Sequence, residues 1–339
     1  MLTIKEVLLE NEKQILINFL NENNLEYEED ITYSILVYEE NELVATASLS
    51  NNIMKDFLVR KEFIGQNITN MMFTHLVSYL HQKDIYHYFV FTTPKNEVIF
   101  KSLNMTTIVK TMNTVLLEGG SNILHELSNL KHEFNISNNK KSALIINANP
   151  MTLGHLYLIE TASKESEEVL VFVVSEDQSS FPFRDRYSII CEATKHLKNV
   201  TVLPSLPYVV SRISFPKYFL KEDKLITEEH TLIDVLIYKE YYQKIFNINM
   251  RYVGDEPLSF NTNKYNEVMK LYLGNRLRIV KRIESNGEVI SASLVRKMLK
   301  DNKISETKKY LPLATYNYLL SEKGEKVIKD IQSKELGRH

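Results

Sequence analysis

The stretch NANPMTLGHLYLIE places small, polar and hydrogen-bonding residues where an apolar run gives way to a helical pattern. The start of a helix presents unpaired backbone N–H groups and a partial positive charge, so phosphate binds there readily. Gly154 allows close backbone approach, Thr152 can cap the helix and offer a hydroxyl, and His155 can donate an imidazole N–H. These residues suit a triphosphate attacked at its α-phosphorus, and a plain capped helix with a surface histidine is the open alternative.

A second stretch, ISASLVRKML, follows the apolar run LRIVKRI and the turn ESNGE. Ser291 and Ser293 are residue types that begin helices well. Arg296 lies about a turn and a half further along, where its guanidinium can hold a phosphate with two parallel hydrogen bonds. A capped helix with a surface arginine is again the alternative, but two phosphate-suited helix starts in one domain favour a nucleotide site.

The elements that would position these stretches alternate between strand and helix. The strand candidates are SALIINAN, EEVLVFVVS, NVTVLP, MRYVGDEP and LRIVKRI, and the helical patterns cover residues 154–164, 183–198, 227–246 and 265–273. This alternation predicts an α/β domain with a doubly wound parallel sheet, in which ligands bind beyond the carboxyl ends of the strands. The NANPMTLGH stretch follows the first of these strands.

The preceding part of the chain reads as α+β. YSILVYEENELVATASLS predicts a hairpin, IMKDFLV and IYHYFVFTTP predict strands, and the spacing of Ile68, Met72, Leu76 and Leu80 predicts a helix. The polar, turn-prone run Asn138–Lys141 places the boundary between two domains near residue 139. We therefore expect domains at residues 1–138 and 139–339.

Composition narrows the function classes. A formal net charge of −2 gives no general attraction to nucleic acid or to an anionic membrane. One cysteine, Cys191, excludes a disulfide within the chain and a cysteine-based metal site, and it sits among Ile190 and Ala193 as a core residue would. No run of about 18 apolar residues predicts a membrane span, and the first residues do not resemble a secretory signal. We expect a cytoplasmic protein.

The motifs T-x-G-H and I-S-x-S-x-x-R resemble the signatures of the nucleotidylyltransferase superfamily, whose HIGH-motif enzymes attack the α-phosphate of a nucleoside triphosphate. The longer words NANPMTLGH, VSEDQSSFPFRDR, RISFPKYFLK, TLIDVLIYKEYY, RYVGDEP and ISASLVR together resemble the [citrate (pro-3S)-lyase] ligase family. The resemblance covers the whole C-terminal part. It implies a Rossmann-like nucleotidylyltransferase domain preceded by an acetyltransferase-like (GNAT-like) domain.

The resemblance also implies a reaction. Acetate and ATP would give acetyl-adenylate and pyrophosphate, and the acetyl group would then pass to the thiol of the CoA-like prosthetic group on the citrate lyase acyl carrier subunit. ATP, with Mg²⁺, is the expected cofactor. The protein needs no nucleophile of its own, since acetate and then the carrier thiol attack, and its role is positioning and charge stabilisation.

Residue roles follow from the same resemblance. Thr152 and His155 would stabilise charge on the α- and β-phosphates, while Ser291 and Arg296 would hold the β- and γ-phosphates. The residues expected at ATP are Asn147, Asn149, Gly154, His155, Arg186, Asp255, Ser291, Ser293 and Arg296, with His155, Thr152 and Arg296 as the catalytic set. Asn147 stands where many relatives have a hydroxyl residue.

Several of these residues have a second interpretation. Arg186 is either a phosphate contact or a solvated charge at a helix start. Asp255 and Glu256 either serve the adenosine or Mg²⁺ or cap the next segment. Lys217 and Lys221 either reach the triphosphate or the carrier or lie on a solvated face.

In the first domain, RKEFIGQNITNMMF resembles the pyrophosphate-binding turn of acetyltransferases, with Gly65 in place and Asn67 where a second small residue belongs. The turn would dock the carrier's CoA-like arm, or the domain would only add stability. Three other functions compete with the ligase: a HIGH-motif ligase that acetylates RNA, a simple adenylyltransferase of cofactor biosynthesis, and a CoA-binding regulatory module. The lack of a basic tract argues against RNA.

Overall fold

The computed structural model describes residues 1–175, 179–209, 215, 220, 223–255, 260–285 and 288–333. The chain forms two compact units. The first unit comprises Met1–Leu127 with Ser214–Ile237, and the second comprises Ser128–Ile213 with Tyr238–His339. This division by packing differs from the boundary near residue 139 that the sequence suggests, and the functional division at that point stays a prediction.

The first unit is built on a seven-stranded sheet of order β1-β2-β3-β4-β5-β7-β6. The strands are β1 (Leu2–Glu6), β2 (Tyr33–Glu39), β3 (Glu42–Ser50), β4 (Ile53–Val59), β5 (Tyr88–Thr92), β6 (Thr106–Lys110) and β7 (Val115–Gly119). All neighbours are antiparallel except β4 and β5, which are parallel and pair only through Ile53 with Phe89 and Met54 with Val90. The fold is acetyltransferase-like, as predicted.

Helices cover this sheet. They are α1 (Glu10–Glu22), α2 (Ile68–Gln82), α3 (Glu97–Ser102) and α4 (Ile123–Glu133), the last of which spans the division between the units. The predicted face of α2 is confirmed, because Met72, Leu76 and Leu80 are buried in the hydrophobic core, where α2 packs against β3 and β4. The predicted hairpin is confirmed as β2 and β3, and its turn residues Glu40 and Asn41 both have positive φ.

A segment from the middle of the chain completes the first unit. This segment contains helix α7 (Asp223–Ile237), which packs beside β6. Glu229 of α7 accepts hydrogen bonds from the Thr111 hydroxyl and from the Asn113 amide, the latter at 2.9 Å. Phe215 meets Phe91 edge-on at a centroid distance of 5.4 Å. The expectation that the helix at residues 227–246 belongs wholly with the parallel sheet is therefore wrong for its first half.

The second unit contains a five-stranded, all-parallel sheet of order β10-β9-β8-β11-β12. Its strands are β8 (Lys141–Ile146), β9 (Val169–Val173), β10 (Val200–Pro204), β11 (Ile248–Gly254) and β12 (Leu277–Val280), followed by the short pair β13 (Glu284–Ser285) and β14 (Glu288–Val289). Each long strand coincides with an apolar run of the sequence. Strands β8 and β9 are almost fully buried, and strands buried on both faces read as continuous apolar runs, which is why these two could be predicted.

The remaining helices lie between and after these strands. They are α5 (Leu153–Glu165), α6 (Phe183–Thr194), α8 (Gln243–Ile245), α9 (Phe260–Leu273), α10 (Ala292–Lys300), α11 (Ile304–Thr307), α12 (Leu313–Leu319) and α13 (Glu322–Ser333). A π-helical turn at Tyr238–Tyr242 joins α7 to α8. The predicted doubly wound α/β architecture is confirmed. In the described part of the chain, no helix has the length and apolarity needed to cross a bilayer.

Two elements near the end of this part of the chain complete the description. Helix α4 precedes the predicted boundary, and its Leu127 and Leu130 are buried. Strands β6 and β7 form a hairpin, whose turn is closed by the Thr111 N–H donating to the Thr114 carbonyl at 2.8 Å.

Candidate nucleotide-binding site

The strand order of the second unit reverses between β8 and β11. At such a point the connections leave the sheet on opposite faces, and a crevice opens beyond the carboxyl ends of the two strands. Strand β8 ends at Ile146, directly before the predicted phosphate motif, and β11 ends at Gly254, directly before Asp255. The structure thus brings the first motif to the position where ligands bind in this class of sheet.

Helix α5 begins with a hydrogen-bonded turn that fixes the histidine. Thr152 is the N-cap, with an extended backbone, and its N–H donates to His155 Nδ1 at 3.1 Å. The Thr152 hydroxyl lies 2.9 Å from the same nitrogen. A backbone N–H can only donate, so Nδ1 is the unprotonated nitrogen and the neutral ring carries its proton on Nε2.

The imidazole is also held neutral. Burial, with a further contribution from the positive charge of Arg282, lowers the pKa of His155 to about 4. At neutral pH the ring is therefore an uncharged donor through Nε2–H. Such a group can donate to a phosphate oxygen on which negative charge develops.

Gly154 makes a close contact within the protein. A Cβ at this residue would lie 3.3 Å from the Ile290 carbonyl oxygen and 3.5 Å from the Thr152 hydroxyl. Glycine therefore permits a close approach to Ile290, the first residue of the second motif, and the two motifs touch at this point. The predicted contact of Gly154 with ATP stays a prediction.

The second motif begins α10 as predicted. Ser291 is the N-cap, and its hydroxyl accepts from the Leu294 N–H at 3.1 Å. Arg296 donates through Nη2 to the Ser293 hydroxyl at 3.2 Å and through Nη1 to the Asn149 carbonyl. Burial lowers the pKa of Arg296. Arg296 thus ties the second motif to the loop of the first.

The loop between β8 and α5 is held by further side-chain bonds. The Asn149 side-chain oxygen accepts from the Phe181 N–H at 3.0 Å, and the Asn147 amide donates to the Ser179 hydroxyl at 3.1 Å. These contacts fix the loop that leads to Thr152. The predicted contacts of Asn147 and Asn149 with ATP stay predictions.

Arg186 is not the solvated charge that the sequence left open. It is fully buried on α6, and its Nη1 donates to the Asn147 carbonyl and side-chain oxygens at 2.9 Å and to the Val174 carbonyl at 2.8 Å. It therefore joins the carboxyl ends of β8 and β9 to α6. A phosphate contact from Arg186 stays a prediction beside this structural role.

Asp255 directly follows β11, and Arg282 lies just beyond the end of β12. The sequence did not single out Arg282 as a site residue. The Asp255 N–H donates to the Val280 carbonyl at 2.8 Å, which continues the β11–β12 pairing. Burial lowers the pKa of Arg282, and the charge of Asp255 opposes that shift. Glu256, Lys217 and Lys221 lie outside the described residues.

Arg282 was missed because it stands between Lys281 and Ile283 in a charged run, which is typical of a solvated strand end. The sequence does contain one signal for Arg282, its position near the end of the strand candidate LRIVKRI. The carboxyl ends of parallel strands form the edge at which ligands bind. Among the described residues, no group of three or more His, Cys, Asp or Glu side chains could hold a metal ion.

Cys191 and the turn at Gly65 are the other positions that the sequence singles out. Cys191 is half-buried on α6 beside the second unit's core, and burial raises the pKa of its thiol, as befits a packing residue. In the first unit, Gly65 has φ +92°, which favours glycine, and Asn67 adopts a left-handed φ of 63° as the N-cap of α2. This backbone conformation is one that Asn accepts readily.

Comparison with known proteins assigns the family. The model of the citrate lyase ligase C-terminal domain matches residues 141–319. The "[Citrate [pro-3S]-lyase] ligase" of Haemophilus influenzae is 31% identical over 89% of this chain and 93% of its own length. The chain belongs to the citrate lyase ligase family. As a member, it is an enzyme of the acid–thiol ligase class.

Similar solved structures have low TM-scores. A bifunctional NMN adenylyltransferase/ADP ribose pyrophosphatase from Francisella tularensis has a TM-score of 0.37 at 19% identity, covering 57% of this chain and 52% of its own. The ribosomal-protein-S18-alanine N-acetyltransferase of Escherichia coli has a TM-score of 0.29 at 12% identity, covering 36% of this chain and 96% of its own.

Proposed function

We propose that this citrate lyase ligase family member activates acetate with ATP and acetylates the thiol of the prosthetic group on the citrate lyase acyl carrier subunit. An acetate oxygen attacks the α-phosphorus of ATP, the bond to the β-phosphate breaks, and pyrophosphate leaves. The carrier thiolate then attacks the acetyl carbonyl, and AMP departs. Acetyl-citrate lyase is the product of the second step.

One observation carries the proposal. His155 presents a neutral Nε2–H at the start of α5, fixed by the bond from the Thr152 N–H at 3.1 Å, on the edge of the sheet where the strand order reverses. An oriented donor that needs no reorganisation is what a developing phosphate charge requires. Thr152 and His155 would act at the α- and β-phosphates, and Ser291 and Arg296 at the β- and γ-phosphates.

The other predicted ATP residues fit supporting roles. Asn147, Asn149 and Arg186 hold the loop that leads into α5, and Gly154 lets that loop meet the second motif. We infer that the adenylation chemistry belongs to residues 139–339. Cys191 has no part in it, because a half-buried thiol with a raised pKa is a poor nucleophile.

Mg²⁺ fits the site as an ion carried by the triphosphate. Magnesium in nucleotide sites keeps several waters and takes one or two carboxylates besides phosphate oxygens, so it needs no cluster of protein ligands. Asp255, at the carboxyl end of β11, is the described carboxylate that would hold it. The ion would supply neutralisation of phosphate charge.

The first unit would receive the carrier's arm. Its acetyltransferase-like sheet and the turn at Gly65 before α2 suit a CoA-like group, because the 15-residue helix α2 begins there with unpaired N–H groups. The carrier, rather than an RNA, is the proposed acceptor, in keeping with the net charge of −2.

The test separates the two steps in the full-length protein. Acetate-dependent exchange of labelled pyrophosphate into ATP reports the first step, and acetylation of the deacetylated citrate lyase carrier reports the second. We expect exchange with acetate alone and transfer only when the carrier bears its prosthetic group. Exchange that requires tRNA, or acetylation of RNA instead of the carrier, would refute the proposal.

A further inference from the structure

Arg282 lies at the end of β12, on the same edge of the sheet as the phosphate motifs. Strands β8, β11 and β12 are consecutive in the sheet, and β11 pairs with β12 through Gly254 and Val280. A Cβ built on Gly254 would lie 3.9 Å from Arg282 Nε. The guanidinium stem therefore rests beside Gly254, at the edge of the crevice where the strand order reverses.

The charges around Arg282 belong to the same edge. Its positive charge acts on His155, from the start of α5, and it is itself acted on by Asp255, from the end of β11. Arg296, from α10, is turned to the Asn149 carbonyl and to Ser293. Among the described ionisable groups, Arg282 is the one whose charge contributes to the lowered pKa of His155.

We propose that Arg282 binds the α-phosphate of the nucleotide, opposite the Nε2–H of His155, and is a substrate-binding residue of the adenylation step. The inference rests on the function proposed above. A guanidinium can hold two phosphate oxygens at once, and it stays charged when partly buried. A partly buried cation is stabilised when an anionic ligand arrives, and Arg282 is partly buried with its guanidinium beside Gly254, at the edge of the crevice.

A second oxyanion is present in the reaction, the carboxylate of the acid substrate. The place of Arg282 beside Gly254, at the crevice where the strand order reverses, favours the nucleotide, and the two sources differ in what they predict. Contact with the α-phosphate predicts weaker AMP binding on loss of Arg282. Contact with the acid predicts a higher KM for acetate with unchanged AMP binding.

The experiment compares Arg282→Gln and Arg282→Lys with Arg278→Gln in the full chain. Arg278 is the matched control, since it lies on the same strand but is 54% exposed and pairs with Glu165 at 3.3 Å. Calorimetry measures AMP and inorganic pyrophosphate binding without acetate or carrier. We expect Arg282→Gln to weaken AMP binding roughly 10- to 100-fold, as for a lost charge-assisted bond. Pyrophosphate binding and the control should be nearly unchanged.

A second readout checks the electrostatic effect of Arg282 on His155 in the folded variants. NMR titration of the His155 ring should show a higher pKa in Arg282→Gln, an unchanged pKa in Arg282→Lys, which keeps the charge, and an unchanged pKa in Arg278→Gln. Arg282→Lys should still bind AMP less tightly, because an ammonium lacks the planar fork. If Arg282→Gln does not fold, the lysine variant carries the test.

Unchanged AMP affinity in folded Arg282 variants would overturn the inference, and so would a rise in the KM for acetate with AMP affinity intact. Failure of this inference and failure of the proposed function can be told apart. A wild-type protein that binds AMP through Arg282 but shows no acetate-dependent pyrophosphate exchange would refute the proposed function and support the assignment of Arg282.

Discussion

Substitution of His155 tests the donor role directly, because the ring has two separable bonds. Nδ1 accepts from the Thr152 N–H at 3.1 Å, and Nε2 carries the proton proposed to meet the phosphate. Asn places its side-chain oxygen near the position of Nδ1 but has no donor at Nε2. Gln places its amide nitrogen near Nε2 but loses the acceptor at Nδ1. Ala loses both.

The magnitudes follow from these bonds. Loss of one preorganised donor to a developing oxyanion typically costs on the order of 10²–10³ in rate, or about 2.7–4 kcal/mol. Loss of the Nδ1 acceptor leaves the N–H of Thr152, a residue only 1% exposed, without its partner and costs roughly 1–3 kcal/mol of stability. We therefore expect His155→Asn to fold stably and exchange slowly, and His155→Gln to recover part of the rate at lower stability.

Pyrophosphate exchange and thermal unfolding, measured on the three variants in parallel, provide the assay. His155→Ala should combine the rate of the asparagine variant with the stability of the glutamine variant. Full exchange activity in His155→Asn would refute the donor assignment. Equal stability of all three variants would refute the capping role of Nδ1.

The lowered pKa of His155 adds a pH dependence. The folded protein binds the proton at about pH 4, whereas the unfolded chain binds it near the ordinary value of 6.5. The unfolded state thus takes up the proton first as the pH falls, so stability is lost between about 6.5 and 4 and is unaffected above that window. Wild-type exchange should show no inflection near pH 6.5 from this residue, and the difference in stability between wild type and His155→Ala should shrink below that pH.

Three further outcomes are expected. Arg296→Lys should lower pyrophosphate exchange at least tenfold although the charge is kept. One ammonium cannot bond Asn149, Ser293 and a phosphate as the planar guanidinium does. Full exchange activity in this variant would contradict the prediction. Asp56→Asn should raise the melting temperature by a few degrees at pH 8 and not at pH 4. Burial raises the pKa of Asp56 to about 7, so its ionisation destabilises the fold as the pH rises. Equal gains at both pH values would contradict this assignment. Cys191→Ser should leave exchange and carrier acetylation intact, and an acetyl group trapped on Cys191 would disprove the packing role.

The strands of the second unit could be predicted because their signal is local. Each is an apolar run long enough for a buried strand, and β8 to β12 appear where the sequence places them. The unit to which α7 belongs could not be predicted from the sequence. Its amphipathic pattern says that one face is buried, but only tertiary contacts, such as that of Glu229 with Asn113, determine which unit covers it.

The same distinction applies to the site. The motif residues are close in sequence, and their chemistry at a helix start is local, so the caps Thr152 and Ser291 could be foreseen. Arg186 and Arg282 each stand in a charged stretch of the sequence, and nothing local separates a buried arginine from a solvated one. The role of Arg186 depends on its burial on α6, and the role of Arg282 depends on its position beside Gly254 at the end of the neighbouring strand.

The two motifs owe their joint geometry to contacts between protein groups. Gly154 packs on the Ile290 carbonyl, and Arg296 reaches across a sequence separation of 147 residues to the Asn149 carbonyl. The Thr315 hydroxyl, from α12, donates to the Met151 carbonyl at 3.0 Å. These contacts are made by the protein itself and hold both helix starts in fixed positions. Donors fixed in advance need little reorganisation as charge moves to the leaving group, which is how a site without a nucleophile of its own can accelerate phosphoryl chemistry.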